Sequence, residues 1–164
     1  MQAFNKHMKE ANQISKEREE VKITEEDLLT VPKGQVTFAG LQENIRVSIL
    51  YLEAWLRGLG CVAISNKMED LATAEISRSQ VSQWIKHKIS TKCGKKVTLD
   101  LVQNLLEEQC KQISTQNPKN TPFVNKATEL LSLVFSCSDV SFIPFLPSVA
   151  YSYILTPSRE ISKL

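Results

Sequence analysis

Leu41, Ile45, Ile49, Leu52 and Leu56 recur at steps of three and four, which places them on one face of an α-helix. The pattern returns further along the chain. Ala74, Val81, Trp84 and Ile85 share a face of a second segment, predicted from about Glu69 to Lys88. Val102, Leu105, Leu106, Gln109 or Cys110, and Ile113 mark a third, and Phe123, Ala127, Leu130, Leu131 and Val134 a fourth. A helix with an apolar stripe must bury it against another element. Such stripes, with no alternating strand pattern between them, predict an all-α fold, a compact bundle of four to five amphipathic helices.

The punctuation between the stripes agrees with this reading. Gly58 and Gly60 close the first segment, because glycine takes the left-handed cap conformation, and Gly94 breaks the second. Thr98 is a predicted N-cap for the third, with Asp100 in its first turn. Thr121-Pro122 opens the fourth, where proline lacks only a donor that would be orphaned anyway. Cys61–Ser65 reads as a short buried connection and Ser114–Thr121 as a polar loop. Beyond Cys137 the chain is apolar but broken by Pro144 and Pro147, which predicts a short irregular packed segment. A short helix over Glu25–Leu29 with Thr24 as its N-cap is expected in an otherwise polar N-terminal stretch. The expected organisation is therefore a linker over 1–35, a helical domain over 36–155 and an exposed tail over 156–164.

The formal net charge of +2 is too small to argue for nucleic acid or an anionic membrane as a partner. Lys86, Lys88, Lys92, Lys95 and Lys96 gather positive charge locally, which reads first as a solvated helix end and loop. The cysteines at 61, 93, 110 and 137 form no CxxC pair, and His7 and His87 lie far apart, so no metal site is expected from this chain alone. The apolar stretch near 142–155 is too short and too interrupted to span a bilayer.

Two short motifs stand out. Ser162-Lys163-Leu164 at the C-terminal end has the form of a receptor-read peroxisomal address. Met68-Glu69-Asp70, with the residues to Arg78, reads as the start of a helix with carboxylates in its first turn, and Glu75 and Arg78 lie one turn apart and can pair. Asp70 follows a double-glycine turn and a short buried segment, and a carboxylate at such a junction can point out of the domain into a cleft.

The stretch from Gly40 to Lys88 resembles the malate synthase family. It carries Asn44-Ile45-Arg46-Val47, Tyr51, Glu53 and Trp55-Leu56-Arg57-Gly58, then Met68-Glu69-Asp70 through Ala72-Thr73-Ala74-Glu75-Ile76-Ser77-Arg78, and Gln83-Trp84. The resemblance implies the C-terminal helical domain of an enzyme that condenses acetyl-CoA with glyoxylate to give malate and CoA. It implies that Asp70 is the base, with Met68 and Glu69 beside it on the substrate and CoA cleft. It also implies a TIM-barrel domain as partner, which supplies a carboxylate-bound Mg²⁺ and an arginine. That barrel needs about 250 residues and has no room in this sequence. Leu71, in place of the small residue common there, departs from the pattern, as does the polar Lys67. With the terminal tripeptide, the expected partners include a peroxisomal import receptor and the expected location is the peroxisome or glyoxysome matrix. The alternative expectation is a non-catalytic peroxisomal helical interaction module of the same ancestry.

Overall fold

The computed structural model describes residues 2–7, 14–15, 17–31, 33–137 and 142–155. The chain divides into two units, Met1–Gly34 and Gln35–Leu164. The smaller unit contains α1 (Gln2–His7) and α2 (Glu25–Leu29). Thr24 caps α2 as expected and does so reciprocally: its hydroxyl accepts from Asp27 N at 3.2 Å, while Asp27 Oδ2 accepts from Thr24 N at 2.9 Å. These bonds hold the Asp27 carboxyl below its ordinary value. None of the residues in α2 is buried.

The larger unit is the helical bundle. It consists of α3 (Phe38–Leu56), a hairpin of β1 (Cys61–Ile64) and β2 (Lys67–Asp70), α4 (Leu71–Lys86), α5 (Leu99–Gln116), a 3-10 turn at Pro118–Asn120, α6 (Thr121–Ser136) and α7 (Leu146–Leu155). The all-α expectation holds, with the two-stranded hairpin as its one addition among the described residues. α3 is the central element and packs on α4, α5, α6 and α7. Leu41, Ile45, Ile49 and Leu52 are buried along it, as their spacing predicts, and Leu56 at its end is half-buried. They meet Ala74, Val81 and Ile85 of α4, Val102, Leu105, Leu106 and Ile113 of α5, and Val124, Ala127, Leu130, Leu131, Val134 and Phe135 of α6. Each large aliphatic side chain so buried contributes roughly 1.5–3 kcal/mol. None of the described helices is long and apolar enough to cross a membrane.

The helix ends show where local signals decide and where they do not. Thr37 caps α3 by accepting from Gly40 N at 3.0 Å. A Cβ on Gly40 would sit 3.0 Å from that hydroxyl, so the glycine lets the cap close. α3 ends with Gly58 at φ +88, where Leu59 N donates to Ala54 O at 3.0 Å and Gly58 N to Trp55 O at 2.8 Å. Gly60 takes no such conformation. α4 ends the same way but at Lys88 (φ +50), well before Gly94: Ile89 N donates to Trp84 O at 3.0 Å. A lysine accepts that conformation because the chain leaving it is paired, Val97 N donating to Ile89 O at 2.9 Å. Thr98 caps α5 through Leu101 N at 3.2 Å, as expected.

Three further expectations are corrected. The connection over Cys61–Ser65 is a strand with Cys61 and Ala63 exposed and only Ile64 fully buried. α5 runs on to Gln116, so the polar loop is shorter than its composition suggests. The proline-broken segment contains α7, which tolerates Pro147 because that residue lies in the first turn, where an N–H has no intrahelical acceptor. The tail over 156–164, including Ser162, Lys163 and Leu164, lies outside the described residues.

Candidate functional site

The helix expected from Glu69 begins instead at Leu71, with Glu69 and Asp70 in β2, so α4 has no carboxylate in its first turn. The reason lies in Ser65-Asn66. Both residues adopt positive φ, +50 and +61, the requirement of a tight two-residue hairpin turn. The turn folds Lys67–Asp70 back antiparallel on Cys61–Ile64, pairing Cys61 with Asp70 and Val62 with Glu69. A polar dipeptide between two four-residue runs was the available signal for this hairpin.

Asp70 is thereby the last residue of a strand and the N-cap of a helix. Its backbone is extended (φ −122, ψ −173), and its Oδ1 accepts from Thr73 N at 3.2 Å and from the Thr73 hydroxyl at 3.4 Å. Its other oxygen, Oδ2, accepts no hydrogen bond among the described residues, and the residue is exposed. One carboxylate oxygen is held by the cap and the second has no such bond on an exposed residue, an arrangement able to accept a proton from a molecule held in front of the helix end.

α3 holds this junction in place. Tyr51, almost fully buried, donates its hydroxyl to Gly60 O at 3.2 Å at the start of the hairpin. Burial, and after it the negative charge of Asp70 and the nearby Cys61, push the Tyr51 phenol above its ordinary value. Arg46 reaches the turn, donating to Ser65 Oγ at 3.2 Å. At the C-terminal end of α3, the buried Glu53 accepts two bonds from Arg57, at 2.5 and 3.2 Å. Of the residues expected beside Asp70 in the cleft, Met68 is 71% exposed, whereas Glu69 is only 8% exposed and points to the other face of the strand. Beyond the junction, Glu75, Ile76, Ser79, Gln80, Gln83 and Trp84 line a shallow open groove along α4. The described residues contain no group of three or more His, Cys, Asp or Glu that could hold a metal ion.

The family description "Malate synthase, C-terminal" matches residues 35–154, the helical bundle almost end to end. The chain belongs to the malate synthase family. Malate synthase from Myxococcus xanthus is 53% identical over 116 residues, which is 71% of this chain and 21% of that protein. The glyoxysomal malate synthase of Candida tropicalis is 46% identical over 165 residues, covering 98% of this chain and 29% of its own length. Malate synthase A from Escherichia coli is 44% identical over 106 residues, or 64% and 20% respectively. The chain therefore spans less than a third of the length of these malate synthases.

Within this malate synthase domain the motif around Asp70 divides into two parts. Met68-Glu69-Asp70 forms the second strand of the hairpin and the helix cap. Glu75 and Arg78 form a pair further along α4, Arg78 Nε to Glu75 Oε2 at 2.7 Å, with Arg78 only 1% exposed and Glu75 half-buried. The pairing was legible from their spacing. Its reach to the far end of the chain, with Arg78 donating to Ile143 O at 2.7 Å and to Pro144 O at 3.3 Å, was not.

Proposed function

We propose that this domain serves a complete malate synthase by presenting Asp70 as the base that removes a proton from the methyl group of acetyl-CoA, so that the resulting carbanion equivalent adds to glyoxylate and the thioester is then hydrolysed to malate and CoA. A thioester methyl is a weak carbon acid. Its base must therefore lie within hydrogen-bond reach and be held in one orientation. The observation that carries the reading is the junction itself: the hairpin delivers an exposed Asp70 to a helix N-terminus with one oxygen anchored and the other accepting no hydrogen bond among the described residues. Met68, exposed two residues before Asp70, would form part of the cleft wall on the CoA side, with Glu69 packed behind the strand.

The remaining machinery belongs to a TIM-barrel domain that would face this junction, joined through the linker over 1–35. A Mg²⁺ would be held there by the barrel's carboxylates. The terminal Ser162-Lys163-Leu164 supports import into the peroxisome or glyoxysome matrix by its receptor, consistent with the glyoxysomal naming of the Candida tropicalis, Glycine max and Cucumis sativus relatives.

The test is a chimera in which residues 35–164 replace the corresponding part of the Candida tropicalis enzyme, assayed for CoA thiol release from acetyl-CoA and glyoxylate. The expected outcome is turnover in the chimera and its loss, by about 10³-fold or more, in Asp70→Asn. Asp70→Asn with undiminished turnover would remove Asp70 from the chemistry. A folded but inactive parent chimera would favour the non-catalytic module.

A further inference from the structure

We propose that residues 142–155 form a strap that opens and closes as one unit on the finished bundle, with Glu75 and Arg78 of α4 as its catch. This does not depend on any role for Asp70.

Three observations carry it. The first is how little apolar surface seats α7. Leu146, Pro147 and Ala150 are buried, and Ile143 and Val149 pack against the core from its edge. Phe145, Tyr151, Tyr153 and Ile154 are 43–53% exposed. α6, by contrast, buries six residues along a continuous seam. The second is the catch. Glu75 uses both carboxylate oxygens, Oε1 accepting from Leu146 N at 2.6 Å and Oε2 from Arg78 Nε at 2.7 Å. Arg78 extends the grip to the carbonyls of Ile143 and Pro144, and its guanidinium carbon lies 4.5 Å from the centre of the Phe142 ring. The third is the position of these contacts. They fall on the strap's entry and on the first helical N–H, and near its other end Lys126 lies 4.6 Å over the Tyr153 ring.

The physical consequence is a divided stability. Segments with few buried apolar contacts open at lower free energy than the core that carries them. Here the closed state includes charge-assisted bonds that all hold the backbone of the strap's entry, and such bonds are lost together once that backbone moves away. Opening the strap withdraws Leu146 and Ala150 from the core cluster but leaves α3, α4, α5 and α6 packed on one another through the rest of it.

Hydrogen exchange of the whole chain, read by mass spectrometry, tests this with wild type and two variants. In wild type, the helical amides of 150–154 should exchange at least about tenfold faster than those in the middle of α3 and α6. Val102→Ala, a core deletion in α5, should speed exchange in α3 and α6 by roughly tenfold while leaving 150–154 unchanged, because Val102 stays packed among α3, α5 and α6 when the strap is open. Glu75→Ala should accelerate 150–154 by about tenfold or more, the weight of one bond to a charged group. If Val102→Ala accelerates the strap by the same factor as α6, the strap opens only when the whole bundle unfolds and the proposal is wrong. Wild type and Val102→Ala decide the question even if Glu75→Ala does not fold.

Discussion

Glu75 Oε1 accepts from the backbone N–H of Leu146 at 2.6 Å, a hydrogen bond between residues 71 positions apart that seats the last helix on α4. The same carboxylate neutralises Arg78, which is 1% exposed. An arginine so deeply buried is tolerated only because a carboxylate and two carbonyls take up its donors. Arg78→Met leaves Glu75 without its cation and should lower unfolding stability by about 3 kcal/mol in chemical denaturation. The double variant Glu75→Gln with Arg78→Met should cost clearly less than the sum of the two single changes, since the partners share one interaction.

Asp70 combines a cap with the proposed chemistry, and the two roles separate by substitution. Asparagine can still accept from Thr73 N, so Asp70→Asn should leave stability within about 0.5 kcal/mol of the parent, whereas Asp70→Ala should cost about 1 kcal/mol. A thermal or urea melt of the two variants measures this directly. Equal destabilisation by both would show that the cap depends on the carboxylate charge.

The hairpin turn holds two non-glycine residues at positive φ, Ser65 and Asn66. Glycine at the second turn position relieves that constraint and is the preferred residue there. Asn66→Gly should therefore be neutral or stabilising by up to about 0.5 kcal/mol, while Asn66→Val should destabilise by about 1–2 kcal/mol. A valine variant as stable as wild type would mean that the turn is not formed as described.

Cys93 lies exposed in a tight turn whose Thr91 hydroxyl is 3.2 Å from its sulfur. That hydrogen bond first, then the backbone bond from Lys95 and the Lys95 charge, hold its thiol below the ordinary value. Its thiolate therefore persists to lower pH than that of an unperturbed cysteine. Iodoacetamide labelling followed by peptide mass analysis should show an alkylation rate at Cys93 that rises at lower pH than for a free thiol. Thr91→Val should move that rise upward; an unmoved profile would exclude the hydroxyl as the cause.

Tyr51 gives the opposite pH dependence. An acid held above its ordinary value favours the folded state while protonated, so its contribution is intact below the ordinary value of 10.0 and shrinks as pH rises through it. Stability measured by denaturant titration should fall above about pH 10, and Tyr51→Phe should make that fall shallower. Because burial outweighs the Asp70 charge among the causes, Asp70→Asn should lower the Tyr51 titration only slightly when followed by phenolate absorbance.

The sequence by itself determined the bundle and its inward faces. Apolar spacing is a local property, and each stripe, from Leu41–Leu52 to Ala127–Val134, has one face to bury whatever lies opposite. Caps such as Thr24, Thr37 and Thr98 were equally fixed by chemistry within three residues, although only the first and third were foreseen. The Met68–Arg78 motif was legible as a unit, but its geometry was not. A four-residue strand carries too little pattern to be told from a helix start, so Asp70 was expected inside α4 and is instead its cap. Tertiary structure alone decided which residues surround it, because Tyr51 and Arg46 reach the hairpin from a different element. It also decided that a proline-containing segment becomes α7, whereas the end of α4 near Lys88 was foreseen. These outcomes rest on contacts between distant residues. Glu75 with Leu146, and Arg78 with Ile143, have no signature in local spacing because their partners are backbone atoms, which every residue supplies alike.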